Sequence, residues 1–124
     1  MKSYTITRDP QGHVQCLVRD NSKSYSLTHK VHHSLTGFEV GYGGSGPSDL
    51  ALSILADVFS AQEHKIKMLH GTVVPWAASM LYQDFKWDFL TQENLQGGIK
   101  QLVITYDAIK NWVTEKLKAK NESS

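Results

Sequence analysis

The stretch from Gly37 to Leu55, GFEVGYGGSGPSDLALSIL, limits what this chain can fold into more than any other. It reads as a short strand, a loop holding three glycines and the opening turns of a helix. Gly43, Gly44 and Gly46 permit backbone angles and close approaches that a side chain forbids. Pro47 suits the first helical position, Ser45 or Gly46 the N-cap, and Asp49 the first turn, where the helix dipole favours a carboxylate. Leu50, Ala51, Ile54, Leu55, Val58 and Phe59 then recur at helical spacing, which predicts an amphipathic helix with one apolar stripe packed on a sheet. A helix start also leaves four N–H groups without intrahelical partners, so the junction offers donors to a phosphate or a carboxylate.

The flanking segments supply the rest of an α+β domain. Tyr4 and Ile6, then Val14, Cys16 and Val18, alternate with polar residues on either side of the turn Asp9-Pro10-Gln11-Gly12. Asp20-Asn21-Ser22 turns the chain again, toward a third short strand with Tyr25 and Leu27. Residues 29–36 lack a period and predict a loop, while Phe38 to Tyr42 return to an extended form. Residues 61–74 are less regular. Pro75 opens a second helix with Ala77, Leu81, Phe85 and Phe89 at spacings of four. TQENLQGG at 91–98 is a loop and Ile99 to Ile104 a strand. Thr105 caps a last helix with Asp107 in its first turn, followed by Ile109, Trp112, Val113 and Lys116 at helical spacing. The expectation is an antiparallel β-sheet of four to five strands packed against two long helices plus a C-terminal helix. One domain covers residues 1–117, and a flexible tail frays from Lys118 to Ser124.

A chain of 124 residues with 40% hydrophobic content can bury one core, and no apolar run approaches the roughly 18 residues that span a membrane. With no hydrophobic leader after Met1, the expected setting is cytoplasmic. The net charge is +1, and mildly basic ends flank an acidic middle by only two or three charges in each segment, which argues against a duplex nucleic-acid binder. Cys16 is the only cysteine, which excludes an internal disulfide, and its place on the Val14–Val18 face reads as a buried thiol. His29, His32 and His33 have no nearby Asp, Glu or Cys, so neither a metal nor a cofactor is implied.

If the glycine junction holds a ligand, the N–H groups of Gly44, Ser45 and Gly46 beside Gly43 are the donors. The hydroxyls of Ser45 and Ser48 assist, and Tyr42 stacks on a base. Arg8, Arg19 or Lys86 supplies charge from elsewhere. The loop lacks the Gly-Lys-Ser/Thr ending of a nucleotide-hydrolysing loop and the three-glycine spacing of a dinucleotide fingerprint. No paired carboxylates, nucleophile elbow or HExxH helix occurs, which makes an enzyme the weaker class. Tyr82 and Trp87 fall off the Leu81–Phe85–Phe89 line. With Trp76 they are candidates for an interface, either to a partner or between copies in a homo-oligomer.

The strings GFEVGYGGSGPSDLAL, LYQDFKWDFL and ITYDAIKNWV resemble, in order, the signature blocks of a small uncharacterised domain family found largely in bacteriophages, plasmids and other mobile elements. The likeness covers residues 35 to 117. Val40 departs from it by standing where the family has tryptophan, and so does the longer connection over residues 61–78. The resemblance implies context: a phage or mobile-element accessory protein that blunts host defence. Two forms of that role fit the residues. One is a non-catalytic sponge that sequesters a nucleotide second messenger at the glycine junction. The other is a protein–protein inhibitor of a host defence complex, of anti-CRISPR or anti-restriction type. A nucleotide-processing enzyme ranks third.

Overall fold

The computed structural model describes residues 2–9, 11, 13–30, 38, 45–68, 71–91 and 101–122. Four strands form an antiparallel sheet: β1 (Lys2–Arg8), β2 (Val14–Asp20), β3 (Lys23–Ser26) and β6 (Gln101–Thr105), in the order β3-β2-β1-β6. The two hairpin turns follow from local chemistry. Asp9 caps the first, its carboxylate accepting from the His13 N–H at 2.8 Å. Asn21 adopts the left-handed conformation at φ 59° in the second, a position that asparagine tolerates.

Register puts alternate residues on one face. Tyr4 pairs with both Val18 and Ile104, Ile6 with Cys16 and Leu102, and Val18 with Tyr25. Tyr4, Ile6, Cys16, Val18 and Ile104 are all buried on that face beneath the helices. The opposite face carries Ser3, Thr7, Gln15, Arg19 and Gln101.

Helix α1 (Ser45–Val58) lies in the middle of the core. It begins at Ser45, so Pro47 occupies the third helical position and Asp49 falls beyond the first turn, not within it as expected. Proline is still tolerated there because the early N–H groups need no intrahelical partner. The larger difference is burial. Leu50 through Ala56 are all buried, including Leu52, Ser53 and Ala56 off the expected stripe. Helix α2 and the turn that follows it cover the side that a surface helix would give to water.

A second small sheet is the part residues 61–74 concealed. Strands β4 (Lys65–Lys67) and β5 (Val73–Pro75) form an antiparallel hairpin, closed by the Gly71 N–H donating to the Met68 carbonyl. Gly71 has φ 82°, open only to a residue without a Cβ clash. Pro75 ends β5 and caps α2 (Trp76–Phe85), which continues as a π-helical turn, Lys86–Leu90. The buried face of α2 is Ala78, Leu81, Tyr82 and Phe85. Tyr82 is only 7% exposed, so it belongs to the core and not to the interface proposed for it.

Helix α3 (Tyr106–Glu122) starts as expected, with Thr105 Oγ1 accepting from the Ala108 N–H at 3.1 Å. It runs through Glu122, past the Lys118 at which fraying is expected. Trp112 bonds across to the π turn, its Nε1 donating to Asp88 Oδ2 at 2.8 Å, and Lys116 lies 3.1 Å from the same oxygen. Among the described residues no helix is long and apolar enough to cross a membrane.

Candidate functional site

Helix α1 contains two charged residues, Asp49 and Asp57, and no cation. A carboxylate in a buried helix must find partners in other elements, because desolvation otherwise disfavours its charge. Both do, and the two pairs fix how α1 crosses the sheet.

Asp57 sits over the row Tyr4–Val18–Tyr25. The Tyr4 hydroxyl donates to its Oδ2 at 2.5 Å and the Tyr25 hydroxyl to its Oδ1 at 2.6 Å, while Lys2 Nζ lies 2.8 Å from Oδ2. Two neighbouring strands thus aim phenols at one carboxylate because Tyr4 and Tyr25 flank Val18 in register. Burial pushes the Asp57 carboxyl up, but the bonds from Lys2, Tyr25 and Tyr4 outweigh it and hold the group below its ordinary value. Burial raises the Tyr4 and Tyr25 hydroxyls, and the Asp57 bond and charge raise them further. Lys2 is lowered by burial yet raised overall by Asp57. An ionised carboxylate with its lone pairs engaged and two phenols kept protonated form a clamp. It holds charge in place and is poorly suited to moving a proton.

Against this clamp lies a groove of about 270 Å³, bounded by the end of β3, by α1 and by the β4–β5 hairpin. Tyr25, Leu27, Thr28 and Lys30 form one wall and Lys65, Val73 and Pro75 the other. Ser53, Ala56, Asp57 and Ser60 make the floor. Each end carries a lysine. The Lys30 N–H donates to Ser53 Oγ at 2.7 Å, and Lys65 Nζ donates to the Ser60 carbonyl at 3.2 Å. Lys2 is paired with Asp57, and Lys30 and Lys65 add two positive charges to the lining against that one carboxylate, a balance that favours an anion in the groove. A second hollow of about 400 Å³, lined by Lys2, Asp20 and Tyr106, lies across Asp57 and Ser60.

Asp49, wholly buried, forms a hydrogen bond at 2.9 Å with His29 Nε2, and the His29 ring lies 4.7 Å from Phe38, which bridges to Val14. The start of α1 therefore lies toward the Arg8–Val14 end of the sheet and its last turn over Lys2. Helix α2 begins beside His64, with the Trp76 N–H donating to the His64 carbonyl at 2.9 Å, and both α2 and its π turn pack on α1.

This geometry sorts the residues expected at the glycine junction. Tyr42, Gly43 and Gly44 lie outside the described residues, as do His32, His33 and the predicted strand beyond Phe38. Ser45 heads α1, while Gly46 and Ser48 are buried. Arg8 ends β1, and Lys86 opens the π turn that packs on α1. Lys86 is itself buried, with its ammonium 4.7 Å from the Trp87 ring centroid and burial lowering its pKa. Arg19 is exposed on the face of the sheet opposite α1. Cys16 is buried, which pushes its thiol up to about 12. No three metal-ligating side chains gather among the described residues.

Sequence reasoning missed Tyr25, Lys30, Ser53, Asp57 and Lys65. The signal that would have found Asp57 is its position: a lone acid among Leu55, Ala56 and Val58 of an apolar helix.

No curated protein and no solved structure matches the chain. Its sequence does match a family of unknown function, DUF6166, over residues 4–115. That span includes every strand and helix packed around the groove, and the chain belongs to the DUF6166 family.

Proposed function

We propose that this protein is a non-catalytic binding protein that takes a small phosphate-bearing ligand of the nucleotide class in the groove between β3, α1 and the β4–β5 hairpin. The observation that carries this reading is the groove itself. Lysines sit at both ends, hydroxyls of Thr28, Ser53 and Ser60 line it, and the Tyr25 ring stands at its wall. The adjoining carboxylate is locked by three donors, which suits capture without turnover. The mobile-element resemblance of the signature blocks supports a cellular role: sequestering a nucleotide messenger of a host defence system in the bacterial cytoplasm. Ser45, at the other end of α1, lies about 18 Å from Asp57 at 1.5 Å per residue.

Thermal shifts against a panel of mononucleotides and cyclic nucleotides test the reading. A ligand at a hundred times its dissociation constant should add about 2.7 kcal/mol of stability. Replacing both Lys30 and Lys65 by alanine should weaken binding on the order of a hundredfold, since each charge-assisted contact contributes about 1.5 kcal/mol or more. Gly44→Val should leave affinity unchanged. The reverse pattern moves the site to the junction, and no shift with any nucleotide removes the proposal.

A second reading, inhibition of a host defence complex through a protein surface, is favoured by one feature. Trp76, Met80 and Trp87 are 39%, 43% and 59% exposed and share the face of α2 and its π turn opposite Ala78, Leu81 and Phe85. Large apolar side chains along one outer helix face are the usual content of a binding hot spot.

A further inference from the structure

We infer that the groove is built for a single mononucleotide, with its flat base against Tyr25, and that Asp57 is the positioning residue that holds this ring in place. The inference rests on the phosphate-binding reading above and adds to it the ligand's size, its ring and its orientation.

Size comes first. The floor runs along α1 from Ser53 to Asp57, about 6 Å at 1.5 Å per residue, and on to Ser60 just past the end of the helix. A volume of about 270 Å³ lies at the small end of ligand sites. Asp57 and Ser60 separate the groove from the hollow lined by Lys2, Asp20 and Tyr106, so a ligand in the groove meets the clamp where a dinucleotide would need to continue.

The ring is argued from Tyr25. This tyrosine is on an edge strand and 42% exposed, a setting in which an aromatic side chain would ordinarily sample several rotamers. Here its hydroxyl is tied to Asp57 Oδ1, and Asp57 is in turn held by the buried Tyr4 and by Lys2. The ring is thereby fixed at its tip while much of it stays open to the groove. Across the groove stand Val73 and Pro75, two apolar side chains without hydrogen-bonding groups. A slot with a fixed aromatic wall facing an apolar wall accepts a flat heterocycle, which stacks on one side and packs on the other. The lysines at the two ends leave the phosphate a place beside the ring, with the Ser53 and Thr28 hydroxyls toward Lys30.

Calorimetry on the full chain tests this with adenosine, guanosine, cytidine and uridine 5′-monophosphates beside ribose 5-phosphate, which has the phosphate and sugar without the ring. At least one nucleotide should bind about tenfold tighter than ribose 5-phosphate. Tyr25→Leu should erase that preference. Tyr25→Phe keeps the ring but frees its tip, and should retain part of the preference. Val73→Trp, at a residue 51% exposed and so tolerant of substitution, should fill the slot and remove the preference for a nucleotide. Equal affinity of wild type for nucleotides and ribose 5-phosphate would overturn the ring assignment and leave phosphate binding intact. If neither binds, both the inference and the function it rests on fail.

Discussion

Asp57→Ala is expected to destabilise the protein by roughly 3 kcal/mol, because it removes the common acceptor of three donors from three places in the chain. The Tyr4 residue is wholly buried, so its hydroxyl would lose its partner with no water to replace it. A drop in Tm of about 10 °C should follow for a chain of this size. Asp57→Asn, which keeps one acceptor oxygen, should lose less. The pH dependence has a defined sign. The folded-state pKa of Asp57 is held below its ordinary 3.8, so its contribution is fully present above that value and lost as pH falls through the folded pKa. Denaturant titrations should therefore show the gap between wild type and Asp57→Ala narrowing below pH 4. At the alkaline end, the raised pKa of Tyr4 and Tyr25 acts in the opposite sense. Their contribution is complete below the unfolded value of 10.0 and declines as pH rises through the folded values. A variant as stable as wild type at pH 7 would mean that the clamp carries no stability.

Phe85→Ala should be the more damaging change, at about 4 kcal/mol. Phe85 is fully buried at the end of α2, stacked 4.6 Å from the Phe89 ring and edge-on to Trp112 at 5.4 Å. Its removal leaves a cavity where α2, the π turn and α3 meet, and neither neighbour can close it without leaving its own partner. Trp112 is tied to Asp88 by its indole N–H, so the ring is not free to swing inward. Chemical denaturation should resolve this loss. Trp112→Phe makes a useful comparison: it keeps an aromatic edge against Phe85 and forfeits the bond to Asp88 with part of the ring that packs on Phe89 and Lys116, so a loss of about 1 to 2 kcal/mol is expected. Equal effects from the two variants would show that the hydrogen bond, and not ring packing, holds the joint.

Much of the architecture was legible because it depends on neighbours in the chain. The alternation Val14, Cys16, Val18 marks a half-buried strand, Asp20-Asn21-Ser22 a tight turn, and Thr105 a helix cap, each through residues within four positions of one another. The β4–β5 hairpin was not legible, since strands of three residues are too short for alternation to register. Tyr82 was misplaced for a related reason. Spacing of four defines a line, whereas α2 buries a face wide enough to include Ala78, Leu81, Tyr82 and Phe85 together.

The candidate site was the least legible part. Tyr4, Tyr25 and Lys2 meet Asp57 across separations of 53, 32 and 55 residues, and Lys30 and Lys65 line one groove only because the chain after β3 and the β4–β5 hairpin come together beside α1. The sequence by itself determined the four strands of the main sheet, the three helices, the start of α1 near Pro47 and the α+β class, because propensity, capping and turn chemistry act locally. Only the tertiary structure decided that α1 is buried all round, that its two carboxylates are paired with His29 and with the Lys2–Tyr4–Tyr25 set, and that a groove opens beside Asp57. Those outcomes depend on which faces pack together, and a buried charge takes its partner from whatever element packing sets against it.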